Sequence, residues 1–537
     1  MTYLDLPDIQ GNIHRPYGRF GFPFARHLFF SIWDAASGRR FIEAVRPRVT
    51  TAEPWDREET DNGRTRVKKP PITLNIGFSY EGLKQLELPT RTLRLLPDEF
   101  IDGMQCRAQI VGDVGGSAPE TWDPAWRSSH QAAHIWIALN VGAGPDGQPL
   151  PKLRQWTNWL LALAKSCGGV TLLEGHGAEG DQPWQDSAAL TTQLADGTTV
   201  PCAREPFGFT DAISDPVFIG QFGKGAEALA AMGGGKIGPG PFHEDTSWSA
   251  LETGEFILGL PDEGQELPVA TAPARFARNG TFMVWRKLKQ DVAGFDAYVD
   301  AQAELWMRVT GVADKTEARE TIRAKMVGRW SSGIPLMAAP TWAEHQTLYD
   351  QYKDCIEISL RKPRDSAEQQ RLAQYSRLLT SFRYGDDPEG AKCPFGAHIR
   401  RANPRDMLDP YLTATEGTTA LVNRRRILRR GATYTDPNGE TGTVFIAICA
   451  SIFRQFEFVQ QQWINYGLDF EGGNDTCPLV GSRAQSHKHV IPAGPANATP
   501  FIAAQMPQFV TTRGGDYFFI PSLTAIRAIA MGVIDPT

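Results

Sequence analysis

The stretch Ala133-His134-Ile135-Trp136-Ile137-Ala138-Leu139-Asn140-Val141 is dense in aliphatic and aromatic side chains, and it predicts a strand. Around it the chain alternates. Leu153–Cys167 carries apolar residues at helical spacing, and Gly169–Leu173 is a second strand after a glycine stop. Upstream, His27–Asp34 predicts a strand, Ser37–Val45 a short amphipathic helix, Ile72–Phe78 a strand, and Tyr80–Leu88 a helix closed by Pro89. Reduced to its elements this half reads β-α-β-(α)-β-α-β. That order implies an α+β fold of ferredoxin-like type, a mainly antiparallel sheet with helices on one face.

The pattern returns downstream. Thr281–Leu288 predicts a strand, Val292–Val309 and Lys315–Met326 helices, and Arg425–Arg430 and Thr443–Ala450 strands. Ile452–Tyr466 follows as a helix, Phe509–Thr512 and Tyr517–Pro521 as strands, and Leu523–Met531 as a closing helix. The expected organisation is a ferredoxin-like domain over 1–205, a connecting segment over 206–280, and a second ferredoxin-like domain over 281–537 with an insertion near 331–395. Arg57–Lys69 and Asp181–Thr199 read as polar connections, the latter a surface loop. Gly223–Pro241 reads as a flexible loop. Its Gly233-Gly234-Gly235-Lys236 is not a phosphate loop, because Ala230 stands where that motif needs glycine and Ile237 where it needs Ser or Thr.

Composition narrows the function. The 537 residues are 41% hydrophobic and 22% charged, ordinary for a globular protein, and the net charge of −6 offers no basic field for nucleic acid. The seven cysteines are scattered without a C-x-x-C pair, which argues against a zinc ribbon or a disulfide framework and favours a reducing compartment. The opening MTYLDLPDIQGN has no basic, apolar or twin-arginine leader, and no apolar run reaches the roughly 18 residues of a membrane span. The expectation is a cytoplasmic protein with no nucleic-acid or membrane partner.

Three places could carry chemistry. In Cys393-Pro394-Phe395-Gly396-Ala397-His398 a tight turn delivers a histidine, which could ligate a metal through one nitrogen while the other is anchored, or could be structural. The arginines just after it could pair with carboxylates, including those of a haem. Asp211, within Pro206–Pro216, sits on a turn among Phe209, Ala212 and Ile213, where desolvation would disfavour its charge and suit it to proton transfer; an Asx-turn is the plainer alternative. Arg429 and Arg430 face opposite ways if their segment is a strand, so one can enter a pocket while the other is solvated, unless both belong to a basic edge strand. His487 and His489 read as surface histidines. Cys393 and Glu174-x-His176 complete no metal shell, and no G-x-S-x-G elbow is present.

Together these segments resemble the dye-decolourising peroxidase family. The resemblance runs through Ile9-Gln10-Gly11-Asn12-Ile13, Gly208-Phe209-Thr210-Asp211-Ala212, Gly254-Glu255-Phe256-Ile257-Leu258-Gly259 and Gly328-Arg329-Trp330-Ser331-Ser332-Gly333. It continues through His398–Arg405, Ile427–Gly431, Arg454–Trp463 and Thr512–Phe519. In length the chain is similar to the larger bacterial members. The resemblance implies a dimeric α+β barrel fold, a haem b cofactor, hydrogen peroxide as acceptor, and dyes, phenols or other aromatic compounds as one-electron donors. By the same resemblance His398 is the proximal iron ligand, and Asp211 and Arg429 are the distal acid–base and charge-stabilising groups. Ala212 departs from the family's GxxDG motif at its last glycine. That departure keeps open an alternative, a haem-binding or iron-handling protein with weak turnover. The carboxylate that usually anchors the proximal imidazole has no evident counterpart near Ala450-Ser451. Trp285, Trp330 and Trp463 are expected to be core residues.

Overall fold

The computed structural model describes residues 4–59, 65–127, 132–194, 196–238, 247–268, 270, 272–360, 365–409, 417–482 and 487–534. Its centre is one sheet. The first half supplies β1 (Phe24–Ile32), β2 (Ile72–Phe78), β3 (Ile135–Val141), β4 (Val170–Leu172) and β5 (Gln185–Ala188). The second supplies β6 (Thr281–Gln290), β7 (Leu428–Arg429), β8 (Ala432–Thr435), β9 (Thr441–Cys449) and β10 (Val510–Ile520). The order is β7-β9-β6-β10-β2-β3-β1-β4, with β8 on β9 and β5 on β1. Every described pairing in it is antiparallel.

Register follows the apolar pattern. Ile137 of β3 lies opposite Leu28 of β1 on one side and Ile76 of β2 on the other, and all seven residues of β2 are buried. The halves join where Phe519 pairs with Phe78. On the far side the Thr433 hydroxyl donates to the Ala188 carbonyl, so the sheet curls back on itself. One buried charge cluster sits at this seam: the Lys287 ammonium lies 2.8 Å from Asp123 and 2.6 Å from Asp436, all three within 3% of full burial. Helices cover the sheet with ordinary caps. Asp34 accepts the Ser37 N–H at the start of Ala35–Val45, and Gly168, at φ 78°, ends Lys152–Cys167.

Several expectations need correction. Gln185–Ala188, expected in a surface loop, pairs with β1 and is half buried, because its polar side chains face the seam; Gln185 donates to Asp436. The Gly223–Pro241 region holds a helix, Lys224–Ala231, and a short strand, Lys236–Ile237; its last residues lie outside those described. The expected strand over Arg425–Arg430 shrinks to Leu428–Arg429. The two expected strands at 509–521 are a single one. Its glycines do not break it, because Gly514 (φ 149°) has Trp126 packed where a Cβ would stand, 2.0 Å away. The insertion carries two helices that local pattern missed, Trp342–Leu360 and Ser366–Thr380. Ile452–Ile464 coils in wider π-type turns, where buried Glu457 is met by Arg107 at 2.6 Å and by the Tyr517 hydroxyl at 2.9 Å.

Candidate active site

Asp211 stands on a loop pinned at both ends. The Glu205 carboxylate accepts the N–H groups of Phe207 and Phe209, the Asp211 N–H reaches the Ala203 carbonyl, and Thr210 donates twice to Ser331. The last contact ties the loop to the Gly328–Gly333 turn. Arg429 comes from the other half, on the short strand that pairs with Ala447. Its Nη1 donates to Asp211 Oδ1 at 2.9 Å, and its backbone N–H to Asp215 Oδ1 at 3.2 Å. Asp215 Oδ2 takes Arg430 at 2.7 Å. Arg430 also donates to the carbonyls of Asn12 and Ile13, which gives the N-terminal Gln-Gly-Asn stretch its place.

Arg429 reaches Asp211, while Arg430 reaches Asp215 and the Asn12 and Ile13 carbonyls. Arg430 is not solvated, however, since its side chain is 4% exposed. Arg429 and Asp211 keep 45% and 48% of their side-chain surface open, but protein crowds Arg429 closely enough for desolvation to oppose its charge. Asp211 outweighs that and holds the guanidinium above its ordinary pKa. The pair is a charge-assisted hydrogen bond that joins the two halves of the chain.

His398 opens the short helix His398–Ala402 after a turn closed by Ala397 N–H to Pro394 O. It is partly buried. Arg429 and Asp211 both act on its charge, so the three expected site residues share one electrostatic environment. Its Nδ1 lies 3.3 Å from the Cys477 Sγ. Burial alone would lower the imidazole pKa, but the facing sulfur holds it above the ordinary histidine range. For Cys477 burial works upward, and the imidazole together with the N–H groups of Val480 and Leu479 brings the thiol down to about 7.

The arginines after His398 are committed elsewhere. Arg400 is buried on Asp387 at 2.8 Å and on the carbonyls of Cys393 and Asp387. Arg401 spans the carbonyls of Trp463, Tyr466 and Asp475, and Arg405 those of Thr380 and Phe382. They brace the turn and are not open to the carboxylates of a haem. His489 is likewise no surface residue; it is 3% exposed and bonded to the Lys325 carbonyl. Cys393 is a buried thiol pushed up to about 11 by desolvation. Trp285, Trp330 and Trp463 are core residues, as expected. Asp215, within Pro206–Pro216, gives no local signal of its role, because its partners Arg429 and Arg430 lie more than 200 residues away. Cys477 had no local signal at all, being 79 residues from His398.

The donor set suits a haem. Among the described residues no group of three or more His, Cys, Asp or Glu could hold a bare metal ion. A single imidazole with Nδ1 engaged and Nε2 left for a metal suits iron whose other positions are filled by a macrocycle.

The family model described as the DyP dimeric alpha+beta barrel domain matches residues 8–142. The multifunctional dye peroxidase DyP2 of an Amycolatopsis species is 30% identical over 545 residues, covering 98% of this chain and 96% of that protein. This chain belongs to the dye-decolourising peroxidase family. A fungal peroxidase of the family, Peroxidase 2 of Mycetinis scorodonius, is 26% identical over 98% of this chain and 87% of its own length. The crystal structure of the DyP-type peroxidase of Auricularia auricula-judae superposes with a TM-score of 0.68 at 22% identity, covering 99% of this chain and all of that one. A further solved dye-decolourising peroxidase, bound to 2,6-dimethoxyphenol, has a TM-score of 0.66 at 23% identity over 98% of this chain and all of that one.

Proposed function

We propose that this peroxidase reduces hydrogen peroxide and oxidises dyes, phenols or other aromatic donors by one-electron steps, with a haem b held by His398. The observation that carries the reading is the Asp211–Arg429 pair within electrostatic reach of a histidine whose Nδ1 is already engaged. Bound haem supplies the iron that takes peroxide and passes electrons. The chain supplies proton transfer and charge. Asp211, paired with Arg429, takes the proton from one peroxide oxygen and returns it to the other as the O–O bond breaks. Arg429 cannot lose its own proton, and it places fixed positive charge beside the departing oxygen. Asp215 holds the Arg429 backbone and so its aim.

The alternative of a haem carrier rests on Ala212. That residue adopts φ 55° and still leaves Asp211 on Arg429, which favours the enzyme. We also propose a cytoplasmic site of action, supported by seven free cysteines, one of them, Cys106, exposed. No helix among the described residues is long and apolar enough to cross a membrane.

The test is spectral and kinetic. Purified protein should show a Soret band that is lost or strongly altered in His398→Ala; an unchanged band would overturn the assignment. Asp211→Asn should retain the band and slow peroxide consumption by about 10²-fold or more.

A further inference from the structure

The nitrogen of a ligating imidazole that faces away from its metal usually donates to a carboxylate, a carbonyl or water, which sets the tautomer, the ring orientation and the basicity of the ligand. Here the atom in that place is sulfur. Cys477 Sγ lies 3.3 Å from His398 Nδ1, within the range for a bond to sulfur. We propose that Cys477 is the positioning residue of His398: its sulfur accepts the Nδ1 hydrogen, fixes the tautomer that leaves Nε2 for iron, and tunes the electron density that the imidazole donates.

The surroundings hold the sulfur in place. Cys477 is fully buried. Its N–H is bonded to the Ile464 carbonyl at 2.7 Å and its carbonyl accepts Gly481 at 3.1 Å, so the residue is fixed on both sides by backbone. A Cβ on Gly481 would lie 2.6 Å from the Cys477 carbonyl oxygen, so the turn is as tight as a glycine allows. The histidine is equally constrained, because the Arg400–Asp387 pair two residues on locks its short helix. Two rigid backbones therefore present one acceptor to one donor, and among the described residues no other hydrogen bond to Nδ1 is found. The role survives either charge state of the sulfur, since thiol and thiolate both carry lone pairs that can accept.

The proposal rests on the reading of His398 as the iron ligand, and the test separates the two. Haemin is titrated into apoprotein, and the holoprotein's reduction potential and ferrous iron–imidazole stretching band are measured, for wild type, Cys477→Ala, Cys477→Asp and His398→Ala. Cys477→Ala should bind haem about ten- to a hundredfold more weakly. It should also shift the reduction equilibrium about tenfold toward ferrous, 59 mV for a one-electron couple, with a lower stretching frequency. Cys477→Asp restores an acceptor and should bring all three values back toward wild type or beyond it. If Cys477→Ala matches wild type while His398→Ala loses the band, the positioning role is wrong and the ligand assignment stands. If both match wild type, both are wrong. If Cys477→Ala shifts and Cys477→Asp shifts with it in the same direction, packing rather than hydrogen-bond acceptance is the cause, and the proposal fails.

Discussion

Ala212 carries a side chain in a backbone conformation built for glycine, and replacing it is the sharpest test of the distal loop. Its φ is 55°, in the left-handed region, immediately after Asp211. An L-residue pays about 1–2 kcal/mol for that conformation. Glycine removes this cost but brings back about 0.4–1 kcal/mol of freedom in the unfolded chain. The net expectation for Ala212→Gly is therefore a gain of about 0.5–1 kcal/mol. Asn, which tolerates the left-handed region, should fall near Gly, and the β-branched Val well below Ala. Denaturant midpoints at constant slope on the four proteins read the series directly. Peroxide turnover should persist in Ala212→Gly, since Asp211 is held by its own N–H on Ala203 and by Arg429. A series in which Val equals or exceeds Gly in stability would refute the left-handed backbone assigned to this position.

Two other perturbations probe the interior. Lys287→Met leaves Asp123 and Asp436 buried without their cation and should cost about 3–5 kcal/mol, while neutralising all three positions together should recover most of it; a single substitution within 1 kcal/mol of wild type by denaturant melts would count against the seam cluster. Burial pushes the Asp516 carboxyl up to about 6, against the bonds it accepts from Met104 and Tyr517. A carboxyl raised in the folded state binds its proton more tightly there than in the unfolded chain. It therefore stabilises the fold relative to its own ionised state at low pH, and that advantage is lost as pH rises from the unfolded value near 4 through 6. Asp516→Asn keeps the accepting oxygen and should be more stable than wild type by about 3 kcal/mol at pH 7, with the difference vanishing near pH 4. A constant difference across that range would show that the carboxyl is not the cause.

Regular elements were legible along the chain wherever one face of a segment is apolar. Val292–Thr310, Lys315–Val327 and Leu523–Met531 lie within a residue of their expected limits, because side-chain period and glycine or serine caps are local properties. The candidates for chemistry were legible in the same way. His398, Asp211 and Arg429 stand in stretches whose order is readable along the chain, and the Asp211–Arg429 contact follows once the two halves are assembled. The remainder depends on long-range contacts. Gln185–Ala188 is a strand because β1 offers it an edge, Lys287 is buried because two distant carboxylates meet it, and Arg400, Arg401 and Arg405 are consumed by carbonyls that no local pattern reveals. The partner of His398 is the plainest case. Sulfur from a turn 79 residues away stands where the family resemblance implies an acid, and a contact across that much chain exists only after both backbones have been folded into place.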